Sequence, residues 1–217
     1  MSRRIALVLA TLVALTLVPA AGAGEPRLHL NARDNRRAKA VVVRLGDVAD
    51  VFSPDRRWFA APWIPHCSGY PGDRSSVTIT GTAKSAFSHD GIAATIGSTA
   101  MFFASTRDAQ RYWQLTVRRS FATCSAQSFA RSWRYGARTL VAREIRMGPT
   151  GADEARAFRT VTRLRRPGKA DVDYYQTTAF LRVDRSVAIV AIRSILRCNC
   201  QNDFGVLLAR RLIDASH

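Results

Sequence analysis

Between residues 139 and 196 the chain sets out four β-type segments in a row: 139–147, 155–164, 172–183 and 186–196. Turn residues separate them. Gly148-Pro149-Thr150-Gly151 follows the first, Pro167-Gly168 follows the second, and Asp184-Arg185 joins the last two as a tight hairpin. Strands joined this closely pair antiparallel, because a parallel pair needs a crossover of a dozen residues or more. The C-terminal half is therefore committed to an antiparallel sheet.

The N-terminal half supplies more of the same. From Ser76 to Ala83 the chain alternates, with Val77 and Ile79 on one side and Thr78 and Thr80 on the other, the pattern of a half-buried strand. Residues 91–103 read as a second strand, more fully apolar toward its end. Ser105 then caps a helix, with Asp108 three positions on. Ala109, Tyr112, Trp113, Thr116, Val117, Phe121 and Cys124 recur at helical spacing, while Arg107, Gln114 and Arg118 fall on the wetter side. A short helix is expected over 45–52, closed by Ser53-Pro54, and a last helix begins near Asp203 with Phe204, Leu207, Leu208 and Leu212 on one face. The predicted order is αββαββββα. It describes a single α+β domain, an antiparallel β-sheet packed with helices and covered on one face.

The first 23 residues read as an export signal. Arg3 and Arg4 precede an apolar stretch over 5–18, Pro19 ends it, and Ala21-Gly22-Ala23 offers the small residues of a cleavage site. The stretch is shorter than the ~20 residues a membrane-crossing helix needs. The expected division is a signal peptide over 1–23, a flexible basic leader over 24–43 and the sensor-like α+β domain over 44–217, placed in the cell envelope or outside the cell. The formal net charge is +17, and of the 33 basic residues only Lys39, Lys84 and Lys169 are lysines. So basic a chain is drawn to polyanions. A genome rich in G and C would also favour arginine through its codons, and the arginines are scattered. An exported chain with no reader motif is not expected to bind nucleic acid.

Four cysteines, Cys67, Cys124, Cys198 and Cys200, form an even set in an exported chain, which points to disulfides. Of the three connectivities, Cys67–Cys124 is favoured, since it would staple an N-terminal loop to the end of a helix. Cys198 and Cys200 are then left as a local bridge, a redox-active pair, a metal half-site or free thiols. His29, His66, His89 and His217 show no spacing that would complete a zinc site.

Motifs for catalysis are missing. There is no Gly-x-Ser-x-Gly elbow, no phosphate-binding loop and no dinucleotide fingerprint. Ser88-His89-Asp90 are sequence neighbours, and a triad must converge from separate elements; they read as a loop. Glu144, between Arg143 and Arg146, reads as a surface ion pair. Asp171 and Asp173 read as a solvated strand end. Trp58 and Trp63 in an aromatic loop, and Tyr174 and Tyr175 on a strand, are the candidates for lining a ligand cleft. No cofactor and no metal site is expected.

Three stretches carry a family likeness: Cys67-Ser68-Gly69-Tyr70-Pro71; Ser76-Val77-Thr78-Ile79-Thr80-Gly81-Thr82-Ala83; and Ala100-Met101-Phe102-Phe103-Ala104-Ser105 leading into the helix. With the hairpin Asp184-Arg185-Ser186-Val187-Ala188-Ile189-Val190 and its following Leu-rich helix, the chain resembles small exported proteins of high-GC Gram-positive bacteria similar to the extracellular sensor domain of PknH-type serine/threonine kinases. The likeness spans roughly 58–215. It implies an antiparallel sheet with packed helices, disulfides and a cleft for an unidentified small ligand, and it supplies no catalytic residues. Two departures stand out. This sequence carries no kinase or transmembrane segment, and the Cys198-Asn199-Cys200 spacing is foreign to the pattern.

The expectation is thus a secreted, non-enzymatic sensor-like or ligand-binding domain, whose partner is a small ligand or an anionic envelope component. The alternatives are an envelope redox or hydrolytic enzyme using the cleft or Cys198/Cys200, and a basic protein that adheres to anionic wall polymer.

Overall fold

Two adjacent strands at the centre of the sheet are buried along almost their whole length, and that decides the architecture. In the computed structural model, which describes residues 24–55 and 64–217, every residue of one strand, Ala94–Phe103, is buried. All but Arg193 are buried in another, Ser186–Ser194. A strand buried on both sides needs cover on both sides. The sheet is accordingly sandwiched between two helix layers, not covered on one face as the order of strands and helices suggested. The runs of Ala, Val and Ile in these strands are the trace of that double cover.

In chain order the elements are β1 (Arg27–Leu28), α1 (Ala32–Val41), β2 (Ser53–Pro54), β3 (Thr78–His89), β4 (Ala94–Phe103), α2 (Thr106–Thr116), α3 (Ser120–Ser132), β5 (Ala137–Ile145), β6 (Glu154–Leu164), β7 (Val172–Val183), β8 (Ser186–Ser194) and α4 (Gln201–Ser216). The sheet runs β1-β3-β4-β8-β7-β6-β5, with β2 also on β3; β1 pairs parallel to β3 and all other pairings are antiparallel. The β7–β8 hairpin turns at Asp184, whose φ is +47°. Among the described residues no helix is long and apolar enough to cross a membrane.

One face carries α1 and α4. Its core is aliphatic: Val41, Leu181, Val190, Leu208 and Leu212 with Phe102. The other carries α2 and α3 over an aromatic core of Phe103, Trp113, Phe121, Phe158 and Phe180. The disulfide Cys67–Cys124 ties the 64–77 segment to α3 on this second face.

Three expectations need correction. Residues 24–43 are not a flexible leader: they hold β1 and α1. Asn31 caps α1 by accepting the Asp34 N–H, and Asp34, Ala38 and Val41 form its buried stripe. Asp34 is paired with Arg185 through two contacts of 2.7 and 3.0 Å and also accepts from Thr80 at 2.6 Å. Gly81 makes the approach possible, since a Cβ there would lie 2.3 Å from the Asp34 carbonyl carbon.

The helix expected over 45–52 is a single 3-10 turn, Leu45–Asp47. The Asp47 carboxylate accepts the Arg44 N–H and two contacts from Arg211, so local and tertiary bonds replace a second turn. The long helix from Ser105 breaks at Val117 into α2 and α3. There the Thr116 carbonyl accepts from the Tyr70 hydroxyl and the Val117 carbonyl accepts from Arg156, both at 2.7 Å. Donors from elsewhere in the fold take the acceptors that a continuing helix would need.

Candidate functional site

On the α2/α3 face, a cavity of about 340 Å³ opens over the β3–β4–β8 part of the sheet. Its floor is Ile79 and Lys84 from β3, Thr99 and Met101 from β4 and Ile189 from β8. Tyr112 of α2, Ile64, His66 and Arg74 of the 64–77 segment, and Glu25, Pro26 and Leu28 at the start of the described chain complete the walls. The volume lies in the range of small-molecule sites, and an apolar lining with a few polar groups is their usual make-up.

Register explains how the floor is built. Lys84 stands opposite Thr99, and Thr99 opposite Ile189, so three adjacent strands present one row of side chains to the same face. Thr99 is 5% exposed, and its hydroxyl has no hydrogen-bond partner among the described residues. The Nε of Arg74, a residue 3% exposed, is also unpartnered. Buried polar groups are almost always paired. Two such atoms on the walls of one cavity mark it as a place built to contact something polar.

The charges there are uneven. Arg74 donates to Glu25 at 2.9 Å and lies with its guanidinium 6.0 Å from the Tyr112 ring centre. Glu25 also approaches His66 at 3.4 Å. Burial, the main cause, pushes the Tyr112 phenol up to about 12, so it stays protonated. No carboxylate among the described residues pairs with Lys84.

A larger hollow, about 670 Å³, runs along the outer side of α2 past Ser76, Arg107, Asp108, Gln110, Arg111 and Gln114. Its size is misleading as a guide to function. None of those side chains is buried, and every one of those residues is polar or charged.

The residues singled out from sequence are dispersed. Trp58 and Trp63 lie outside the described residues. Tyr174 and Tyr175, neighbours on β7, point to opposite faces of the sheet. Tyr174 stacks on Phe129 of α3 at 5.0 Å, beside a bond from Gln176 to Ser125, and so helps dock α3. Tyr175 lies on the α4 face with Arg163, Asp171, Asp173 and Ile195 around a shallow hollow. Asp173 is held by two contacts from Arg163, at 2.8 and 3.1 Å. Glu144 is paired not with its sequence neighbours but with Arg156 across the ladder, at 2.6 and 2.7 Å. Ser88 and His89 end β3 instead of forming a loop, and His89 packs edge-on to Phe52 at 5.6 Å. Among the described residues no group of three or more His, Cys, Asp or Glu is placed to hold a metal.

Cys198 pairs with Cys200, which is the N-cap residue of α4. Beside them the buried Arg159 donates to the Cys198 carbonyl at 3.3 Å, to Asn199 at 3.1 Å and to Thr177 at 3.2 Å. Burial, with Arg197 and Arg143 adding to it, lowers the pKa of that guanidinium.

Lys84 and Thr99 were not among the candidates. The alternation read at 76–83 stopped one residue short of Lys84. A lone lysine inside a long strand, in a chain with only three lysines, was the signal available.

The fold and site define an α+β domain with a largely apolar cavity on one sheet face. No family model matches the sequence, and no curated protein matches it. Among solved structures, the crystal structure of the extracellular domain of PknH from Mycobacterium tuberculosis is similar over 83% of this chain and 96% of that one, with 10% identity and a TM-score of 0.46.

Proposed function

We propose that the protein is an extracytoplasmic, non-enzymatic sensor-like domain that binds a small ligand in the cavity between the β3–β4–β8 floor and the 64–77 segment. The observation that carries this reading is the pair of buried, unpartnered polar atoms, Thr99 Oγ1 and Arg74 Nε, on the wall of one largely apolar cavity. The Cys67–Cys124 bridge supports an oxidising compartment and fixes the segment that roofs the site. The test is native mass spectrometry of protein purified from its own host. A small-molecule adduct is expected, and Thr99→Leu, which fills the cavity, should abolish it. Absence of an adduct from the unaltered protein, or its persistence in Thr99→Leu, would count against the cavity.

A second reading, thiol–disulfide exchange at Cys198–Cys200, is favoured by one observation. The pair sits at the N-terminus of α4 beside Arg159, where a thiolate is stabilised. In such a step a partner dithiol would lose two electrons and two protons to the bridge, leaving Cys198 and Cys200 as thiols. Inability of the oxidised protein to convert a dithiol peptide to its disulfide would dispose of it.

A further inference from the structure

The cavity is asymmetric in both charge and wetting, and this narrows what can fill it. Its apolar side is formed by Leu28, Ile64, Ile79, Met101 and Ile189. Of its two permanent cations, Arg74 is answered by Glu25 at 2.9 Å. Lys84 has no carboxylate partner among the described residues, so one positive charge is left over at one end of the floor. Directly across the β3–β4 ladder from it stands the unpartnered hydroxyl of Thr99, and the next residue in that row is Ile189.

Accepting the cavity as a binding site, we propose that its ligand is a small amphiphilic carboxylic acid. The carboxylate is held by the Lys84 ammonium and the Thr99 hydroxyl, and the hydrocarbon body lies over Met101 and Ile189. A neutral apolar molecule would cover the Thr99 hydroxyl without offering it a partner, at the cost of an unmade hydrogen bond. A cation would meet Lys84 at the polar end. A phosphate monoester carries close to two negative charges at neutral pH, against the single uncompensated positive charge here. A carboxylate matches that charge and offers oxygen lone pairs to both donors.

Isothermal titration of the purified chain with decanoate, decanol, decyl phosphate and decyltrimethylammonium, each below its micelle concentration, tests this. Decanoate should bind one to one and at least tenfold more tightly than any of the others. Lys84→Met keeps the aliphatic stem at an exposed position, so the fold is not at stake. It should bring decanoate to within about threefold of decanol and leave decanol unchanged.

Equal binding of decanol and decanoate, tighter binding of decyl phosphate, or decanoate binding that survives Lys84→Met would each overturn the acid. The last would assign the anion to the scattered surface arginines. In the first two cases hydrocarbon binding would leave the cavity itself standing as a site. No binding by any probe overturns the acid as well, and the retained-ligand measurement with Thr99→Leu then decides the cavity separately.

Discussion

The face of the sheet under α1 and α4 and the face under α2 and α3 share the same strands but are finished differently. Under α1 and α4 the core is mainly aliphatic, with Phe87, Phe102 and Phe204 among Ala, Val, Ile and Leu, and it is closed over by two helices that also touch each other. Its polar groups are hydrogen-bonded: Asp34 is bridged to Arg185 at the N-terminus of α1, and Arg159 donates to Thr177, Asn199 and the Cys198 carbonyl near the start of α4. Under α2 and α3 the core is rich in aromatic residues, the cover is partly the 64–77 segment, and a disulfide ties that segment to α3. Here polar groups are left unpaired, beside a cavity. The closed face is finished for stability. The open one keeps buried polar groups without partners among the described residues, which is how a binding site differs from a core.

The comparison can be broken first by large truncations. Trp113→Ala on the open face and Leu208→Ala on the closed one should each cost about 3–5 kcal/mol, because both side chains are buried. Arg118→Ala, at the exposed side of the α2–α3 break, should cost less than ~1 kcal/mol. Urea midpoints that move equally for Trp113 and Arg118 would show that the faces of α2 have been misassigned.

The disulfides should differ in the same sense. Cys67–Cys124 spans a sequence separation of 57, for which loop closure gives about 4 kcal/mol. Replacing both by alanine should lower stability by roughly that amount and loosen the open face. Replacing Cys198 and Cys200, two residues apart, should cost under about 2 kcal/mol by the same relation. Unfolding curves of the two double variants that coincide would contradict this ranking.

Asp34→Asn sharpens the closed side. It leaves Arg185 without its carboxylate and should cost about 2–3 kcal/mol. The hydrogen bonds from Arg185, foremost, hold the Asp34 carboxyl well below the ordinary carboxylate range. A depressed folded pKa gives stability that is present above the unfolded value, near 4, and is lost as pH falls toward the folded one. The unaltered protein should therefore lose stability steeply below about pH 4, and Asp34→Asn should do so less steeply. Parallel pH profiles would remove Asp34 from the acid limb.

The smallest effect is expected at the site itself. Thr99→Val removes a buried hydroxyl that has no partner, so stability should change by less than ~1 kcal/mol in either direction. Ligand affinity should fall nonetheless. A loss of several kcal/mol in stability would mean that Thr99 belongs to the core and not to the site.

What the sequence disclosed follows from the range of the interactions involved. The bounds of β7, residues 172–183, were readable because strand and turn signals are local. So was the hairpin at Asp184. The helix α1 was not, because its buried stripe starts with an aspartate whose partner Arg185 lies 151 residues away. The break between α2 and α3 was hidden for the same reason, since its donors, Tyr70 and Arg156, come from distant segments. The cavity draws residues from Glu25 to Ile189. No local pattern announces such a site, and the aromatic residues that looked suited to it dock a helix at Tyr174 and face the other side at Tyr175.

The difference between the two faces can be read directly from methyl resonances of the chain titrated with decanoate. The account predicts that the methyl groups of Met101, Ile79 and Ile189 shift together and saturate at one equivalent, while those of Leu208, Leu212 and Val190 stay in place. Shifts on the α1/α4 face, or shifts of similar size on both faces, would contradict it.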